Sequence, residues 1–350
     1  MLTVRNEGAF LLEWLAHHLA TGFTDFLVFS NDCQDGTDVM LDRLQAMGHL
    51  THVRNDGPYD QRGIQFTALK HADRLAVVRD ADWILTLDID EFVNIHAGDG
   101  TLTDLRAALP DATAITLTWR LFGHADGVHF SDAPVTETVT RCAPVVMSWP
   151  WRAAMFKTLY RNDGTYRKLG VHRPRSPDRD RLPQARWYDG EGRALDDRYL
   201  TGKLFSDYGR SNYRLVQLNH YPLGAMESYV LKADRGRVNR SDLPLGLDYW
   251  VERNFNIDTD DSIARMAPHS NAIRADLMAD PDLSALHQAA VDWRHARFRA
   301  LMLEEPGRAL FGRLLMTPPS RLLPEAAAQT LIGFALQAQT RNKDTGDSST

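Results

Sequence analysis

Ile84-Leu85-Thr86-Leu87-Asp88-Ile89-Asp90-Glu91-Phe92 sets an apolar run directly against three carboxylates. Apolar residues at successive rather than alternate positions describe a strand buried on both faces. Strand periodicity turns Asp88 and Asp90 to the same side of the backbone, with Ile89 pointing the other way. Two adjacent carboxylates repel and perturb each other's pKa unless a cation lies between them. Their hard oxygens suit Mg²⁺ or Mn²⁺, ions that commonly bridge protein carboxylates and substrate phosphates. In an open α/β sheet, ligands bind just beyond the carboxyl ends of the strands, where this pair falls. A solvated acidic turn closing a core strand would read the same way.

Working outward, Leu2-Thr3-Val4 ends a first strand and Asn6-Glu7-Gly8 forms the loop after it. Leu11, Leu12, Leu15 and Leu19 recur at helical spacing between Phe10 and Ala20, and Gly22 suits the helix end. Asp25 to Ser30 reads as a second strand, Asn31 to Asp38 as a polar loop, and Thr37 to Met47 as a helix closed by Gly48. A third strand runs from Leu50 to Arg54, and a helix from Gln61 to Ala81 leads into the acid-tipped strand. This β-α-β-α-β-α-β alternation predicts an α/β fold: a mostly parallel sheet with helices on both faces.

Further on, Ala114 to Trp119 reads as a strand, with shorter apolar pieces at Ala154-Met155-Phe156 and Leu215-Val216-Gln217-Leu218. Pro174 to Gly192 is polar and reads as a surface loop. Helical spacing returns over Leu283 to Leu303 and Pro324 to Gln337, and Arg341 to Thr350 reads as a disordered tail.

Composition narrows the function classes. The 350 residues are 43% hydrophobic and 25% charged, the proportions of a globular protein. A net charge of −6 and a pI near 6.1 argue against a nucleic-acid binder. No apolar run is long enough for a transmembrane helix. Arg5 and Glu7 interrupt any signal-peptide core, and Cys33 and Cys142 are too few for a disulfide scaffold. The expected location is the cytoplasm, with peripheral contact at the inner membrane left open.

Several blocks in order carry a family resemblance. They are Thr3 to Gly8, Glu13-Trp14-Leu15 with His18, Gly22-Phe23, and Ser30 to Thr37. Asp88-Ile89-Asp90-Glu91-Phe92, Trp119 to Gly123, Lys157 with Val171-His172, His220-Tyr221, Ser228-Tyr229, Lys232 and Arg235-Gly236 follow. Together they resemble GT-A glycosyltransferases of the family 2-like bacterial group, related to glycosyltransferase family 92. The resemblance spans roughly residues 2 to 240 and leaves the region after about 250 unmatched. Relatives usually carry a few more residues ahead of the first strand.

The resemblance implies a GT-A domain over 1–245, with a nucleotide-sugar half (1–110) and an acceptor half (111–245), then a helical extension over 246–340. It implies transfer from a nucleotide-diphosphate sugar, with a UDP-sugar favoured, to a glycan or lipid-linked hydroxyl, with inversion. Mn²⁺ or Mg²⁺ would be held by Asp88, Asp90 and His220, with Asp88 reaching the ribose or a metal-bound water and Glu91 bracing the motif. Arg5, Glu7, Asn31, Asp32, Gln61, Lys232 and Arg235 would contact the nucleotide or its diphosphate. Glu137 is the expected general base, with Asp126, His124 and His172 as rivals. Asn6 and Glu7 can also be read as helix caps, Asp35 and Asp38 as a turn with a cap, and Lys70 as a solvated helix face. Trp149-Pro150-Trp151 can stack on sugars but suits a core equally.

Other classes compete. A haloacid-dehalogenase-type phosphatase also has Asp-x-Asp after a buried strand, but wants Thr or Val where Phe92 stands. A sugar nucleotidyltransferase wants a Gly-rich basic loop near the first strand. A catalytically idle sugar-nucleotide or glycan-binding module needs neither the intact acidic pair nor His220.

Overall fold

The computed structural model describes residues 1–59, 63–236 and 245–346, with side chains described to residue 338. The first part alternates as its periodicity predicts: β1 (Leu2–Val4), α1 (Gly8–Ala20), β2 (Leu27–Ser30), α2 (Thr37–Ala46), β3 (Thr51–Arg54). The three strands form a parallel sheet in the order β1-β2-β3. Strand alternation splits β2 between two cores. Phe26 and Val28 face the helices α1 and α2, whereas Leu27 and Phe29 face Ala68 and Leu69 on the other side.

The helix expected over 61–81 is broken. Gln61 lies outside the described residues, α3 spans Ile64–Ala72, and a short α4 spans Ala76–Arg79. Between them, Asp73 turns its carboxylate outward to accept from the Leu169 N–H at 2.8 Å.

The acid-tipped strand is also shorter than expected. β4 covers only Trp83–Ile84, paired with a later strand. Residues 85–87 then change partner: the Met1 amine donates to Leu85 O at 2.8 Å and Leu87 N–H to Met1 O at 3.0 Å, joining this segment to the head of β1. Asp88 to Glu91 form a turn closed by Glu91 N–H donating to Asp88 O at 3.1 Å. Turn geometry therefore sets the two aspartates' directions, and strand alternation does not.

From that turn the chain enters β5 (Glu91–Ile95), α5 (Leu102–Ala108), β6 (Ala114–Leu121), α6 (Val135–Thr138), β7 (Arg141–Cys142) and β8 (Phe156–Arg161). Next come β9 (Tyr166–Lys168), β10 (Arg175–Pro177), β11 (Trp187–Asp189), α7 (Asp197–Thr201), β12 (Val216–His220) and α8 (Met226–Arg235). The central sheet runs β4-β8-β6-β12-β5, with β11 also pairing β6. It is mixed: β12 is parallel to β6 but antiparallel to β5, and β8 is antiparallel to β6. All eight residues of β6 are buried, as a central strand requires. The stretch read as a surface loop over 174–192 contains β10 and β11. Trp187 is 1% exposed, packed against Tyr166, and its strand closes on β6.

The remaining elements are α9 (Leu247–Val251), β13 (Asp258–Thr259), α10 (Ala267–Met278), α11 (Pro281–Met302), α12 (Glu305–Met316) and α13 (Glu325–Gly346). α10 and α11 pack on α1, and α11 also packs on α2 and α8. α13 continues through 341–346, so the expected tail is helical there, while 347–350 lie outside the described residues. The architecture is mixed α/β, with a parallel three-stranded part beside a larger mixed sheet.

Candidate functional site

The acidic turn connects to its surroundings through two unlike networks. On one side Lys157 of β8, with no solvent exposure, places Nζ 2.9 Å from Asp88 Oδ2 and 3.4 Å from Glu91 Oε2. Glu91 is equally buried; its Oε2 accepts from the Asp88 N–H at 2.8 Å and its Oε1 from Trp119 Nε1–H at 2.6 Å. Trp14 of α1 donates to the Glu91 carbonyl at 3.0 Å. Glu91 thus fixes the turn's shape. Every partner of its side chain donates, which favours the carboxylate; burial acts oppositely and pushes its pKa up despite the Lys157 charge. Gln65 of α3 donates to Asp88 Oδ1 at 3.4 Å.

On the other side, Asp90 meets Lys232 of α8 at 2.7 Å and faces His220, the last residue of β12, across 3.7 Å. Burial raises the Asp90 pKa, but Lys232 and His220 outweigh it and hold the carboxyl well below the usual range. Burial lowers the His220 pKa against the pull of Asp90. The imidazole lies against the Trp119 ring, with centroids 4.3 Å apart, and its buried Nδ1 has no hydrogen-bond partner. A 3.7 Å separation is too long for a hydrogen bond. It falls within the ~4.2 Å span of two metal–ligand bonds of about 2.1 Å. Adjacent octahedral ligands with such bonds stand ~3.0 Å apart, so Asp90 and His220 would have to close by ~0.7 Å to share an Mn²⁺ or Mg²⁺ ion. Among the described residues no group of three or more His, Cys, Asp or Glu could hold an ion. The protein would supply few ligands, and Asp88, tied to Lys157, lies in the other network.

Behind this turn, Arg235 pairs with Glu7 and donates to the Arg5 carbonyl at 3.0 Å. Glu7 is the residue preceding α1, yet its side chain does not cap the helix; Asp35 Oδ2 accepts from Gly8 N–H at 3.0 Å instead. Asp38 pairs with Arg54. Asn31 is buried with its Oδ1 unpartnered, and Asp32 adopts a left-handed backbone (φ 46) while accepting from Tyr59 at 2.7 Å.

The expected base is not brought to the turn by any contact seen. Glu137 sits on α6 and accepts from Asn271 at 2.8 Å. Asp126 has φ 59, with its N–H bonded to His124 Nδ1. His172 does approach: its pKa is lowered first by burial and then by Lys157, and its ring packs on Trp119 at 5.8 Å. Trp149 stacks on Trp151, which stacks in turn on Phe205. Sequence reasoning missed Gln65 and the joint service of Trp119 and Lys157 to Glu91. A lysine inside the buried strand Phe156-Lys157-Thr158-Leu159 was the available signal, because a buried ammonium needs a carboxylate.

Residues 3–176 match the model of glycosyltransferase family 92. The chain carries a glycosyltransferase family 92 domain. A glycosyltransferase family 92 protein of Oryza sativa subsp. japonica is 26% identical over 105 residues, which is 29% of this chain and 17% of the rice protein. The chain thus spans under a fifth of that relative's length. Two crystal structures of S. aureus TarS are also similar. One is 16% identical over 46% of this chain and 27% of that chain, at a TM-score of 0.29. The other, TarS 1–349, is 13% identical over 84% of this chain and 88% of that chain, at 0.33. Asp88, Asp90, Lys157 and His172 lie inside the family 92 segment; His220, Lys232 and Arg235 lie beyond it.

Proposed function

We propose that the chain is a GT-A glycosyltransferase that moves a sugar from a nucleotide diphosphate, with a UDP-sugar favoured, to a hydroxyl of a glycan or lipid-linked acceptor. The observation that supports this reading is the Asp90–His220 pair, an oxygen and a nitrogen donor facing each other across 3.7 Å and flanked by Lys232. Mn²⁺ or Mg²⁺ held there would act as a Lewis acid on the leaving diphosphate. Lys232 adds a fixed positive charge beside the same oxygens, and Arg235 a second one at Glu7. Asp32, which accepts from Tyr59, would meet the nucleobase, with Asn31 buried behind it. Asp88, held by Lys157 and Gln65, would meet ribose hydroxyls. Glu137 is engaged by Asn271, whereas no described residue donates to the Asp126 carboxylate, so Asp126 is the better base for an inverting transfer.

A thermal-shift screen of sugar nucleotides tests this, because a ligand that binds the native state raises apparent stability. A UDP-sugar with Mn²⁺ should raise the unfolding temperature and release UDP when an acceptor is added. Asp90→Ala should abolish both. An undiminished shift in that variant, or phosphate release from monophosphates instead, removes the assignment.

A further inference from the structure

α11 lies outside the family-matched segment, yet it carries Arg294 into the cavity that Asp90, Lys232 and Arg235 also line. The cavity holds about 80 Å³. About 10–15 Å³ accommodates one water, so there is room for a group of several heavy atoms. Phe92, Leu223 and Trp293 make much of its wall apolar.

Counted pair by pair, its charges do not cancel. Lys232 is matched by Asp90, Arg235 by Glu7, and Asp234 by Arg297 at 2.7 Å. Arg294 is left over. It is 5% exposed, forms no hydrogen bond or ion pair with any described residue, and has its Nε buried without a partner. The field of Asp35 reaches it, but that carboxylate is taken by the Gly8 and Thr37 N–H groups and the Thr37 hydroxyl. Among the described residues, the faces of Phe10 and Phe130, 4.4 and 4.7 Å away, hold the guanidinium. Burial lowers its pKa to about 10, which leaves it charged at neutral pH. Nearby, the Nε atoms of Arg5 and Arg235 are likewise buried and unpartnered. A buried cation without a counter-charge is strongly disfavoured unless a ligand supplies one.

We infer that Arg294 binds a phosphoryl group of the ligand in this cavity, beside Asp90. A guanidinium fork matches two phosphoryl oxygens, and apolar walls strengthen that attraction. The inference rests on the glycosyltransferase reading only for the molecule that brings the phosphoryl group: the donor's diphosphate, or a phosphate on the acceptor. A purely packing role between two phenyl rings would be filled as well by methionine.

Calorimetric titration of pyrophosphate without divalent cations, on the full chain, tests this with Arg294→Met and Arg294→Lys. Pyrophosphate should bind at least tenfold more weakly to the methionine variant, with partial recovery in the lysine variant. Without anion the methionine variant should unfold no earlier than the parent, and pyrophosphate should no longer raise its unfolding temperature. UDP weakened in parallel assigns the site to the donor. UDP unaffected, with phosphate binding to the UDP-saturated protein lost, assigns it to the acceptor. Equal pyrophosphate affinity in parent and methionine variant, or no binding by the parent, overturns the inference. Loss of the donor assignment reads out separately, as UDP-sugar binding that survives Asp90→Ala.

Discussion

The two aspartates of the acidic turn stand one residue apart and live in different environments. Asp88, its own side chain 39% exposed, leans on a closed network in which Lys157, Glu91 and Trp119 are buried and satisfy one another. Asp90 belongs to an open one, where Lys232 is partly exposed and His220 keeps an unpartnered nitrogen. The first arrangement has the features of a support and the second those of a binding surface. Substitutions of Lys157 and Glu91 should therefore register as stability, and substitutions of Lys232 and His220 as ligand affinity.

The largest expected effect follows from Lys157→Met. Methionine fills the space but leaves Glu91 buried beside Asp88 without a cation. Breaking a buried pair from one side costs about 3–5 kcal/mol. Chemical denaturation should show that loss most fully at alkaline pH, and it should narrow toward neutral pH as Glu91, whose pKa burial raises to about 8 even beside Lys157, takes up a proton. A variant as stable as the parent would mean that the closed network is not a support at all.

Acidification of the parent tests what backs that network. His17 of α1 lies behind the turn, with Nε2 2.8 Å from Val93 O and its ring against Phe92. Burial lowers its pKa to about 4 from the ordinary 6.5. The unfolded chain therefore takes the proton first, so this contribution is complete above pH 6.5 and is lost as pH falls through about 4. The full loss is on the order of 3 kcal/mol, from about 1.4 kcal/mol per pH unit. His17→Gln should flatten the stability profile between pH 6.5 and 4; an identical slope in both proteins would show that His17 is charged already.

Much of this contrast was out of reach of the sequence, for identifiable reasons. Local pattern located β1, α1, β2, α2 and β3: the helices spend their apolar residues on a face that packing then buries, and β2 is a continuous apolar run buried on both faces. The Asp-x-Asp pair stood out by composition alone. Its geometry did not, because Leu85 and Leu87 switch partners to Met1 and end the ladder with β8 before the carboxylates. Lys157, His172 and His220 reach the turn from strands and loops far along the chain, and mixed pairing around β6 is set by tertiary contacts. Trp187, in a stretch rich in arginine and proline, is buried for the same reason: its strand edge is completed by β6. Arg294 gave no signal, since an arginine on an amphipathic helix usually faces water.

The smallest stability effect is expected at Lys232→Met, the open-half counterpart of Lys157→Met. Lys232 and Asp90 have side chains 19% and 21% exposed, so water can take the place of the lost ammonium. Exposed pairs contribute about 0–1 kcal/mol and breaking a fully buried one costs about 3–5 kcal/mol, so this partly buried pair should cost less than Lys157→Met does. Its affinity for a nucleoside diphosphate should nevertheless fall about tenfold, because the charge that meets the phosphate oxygens is gone while the fold is not. Denaturation and nucleotide titration of the same sample separate the two quantities. Should Lys232→Met unfold as readily as Lys157→Met, with nucleotide affinity intact, Asp90 would belong to the same rigid support as Asp88, and ligand binding would have to be sought away from this turn.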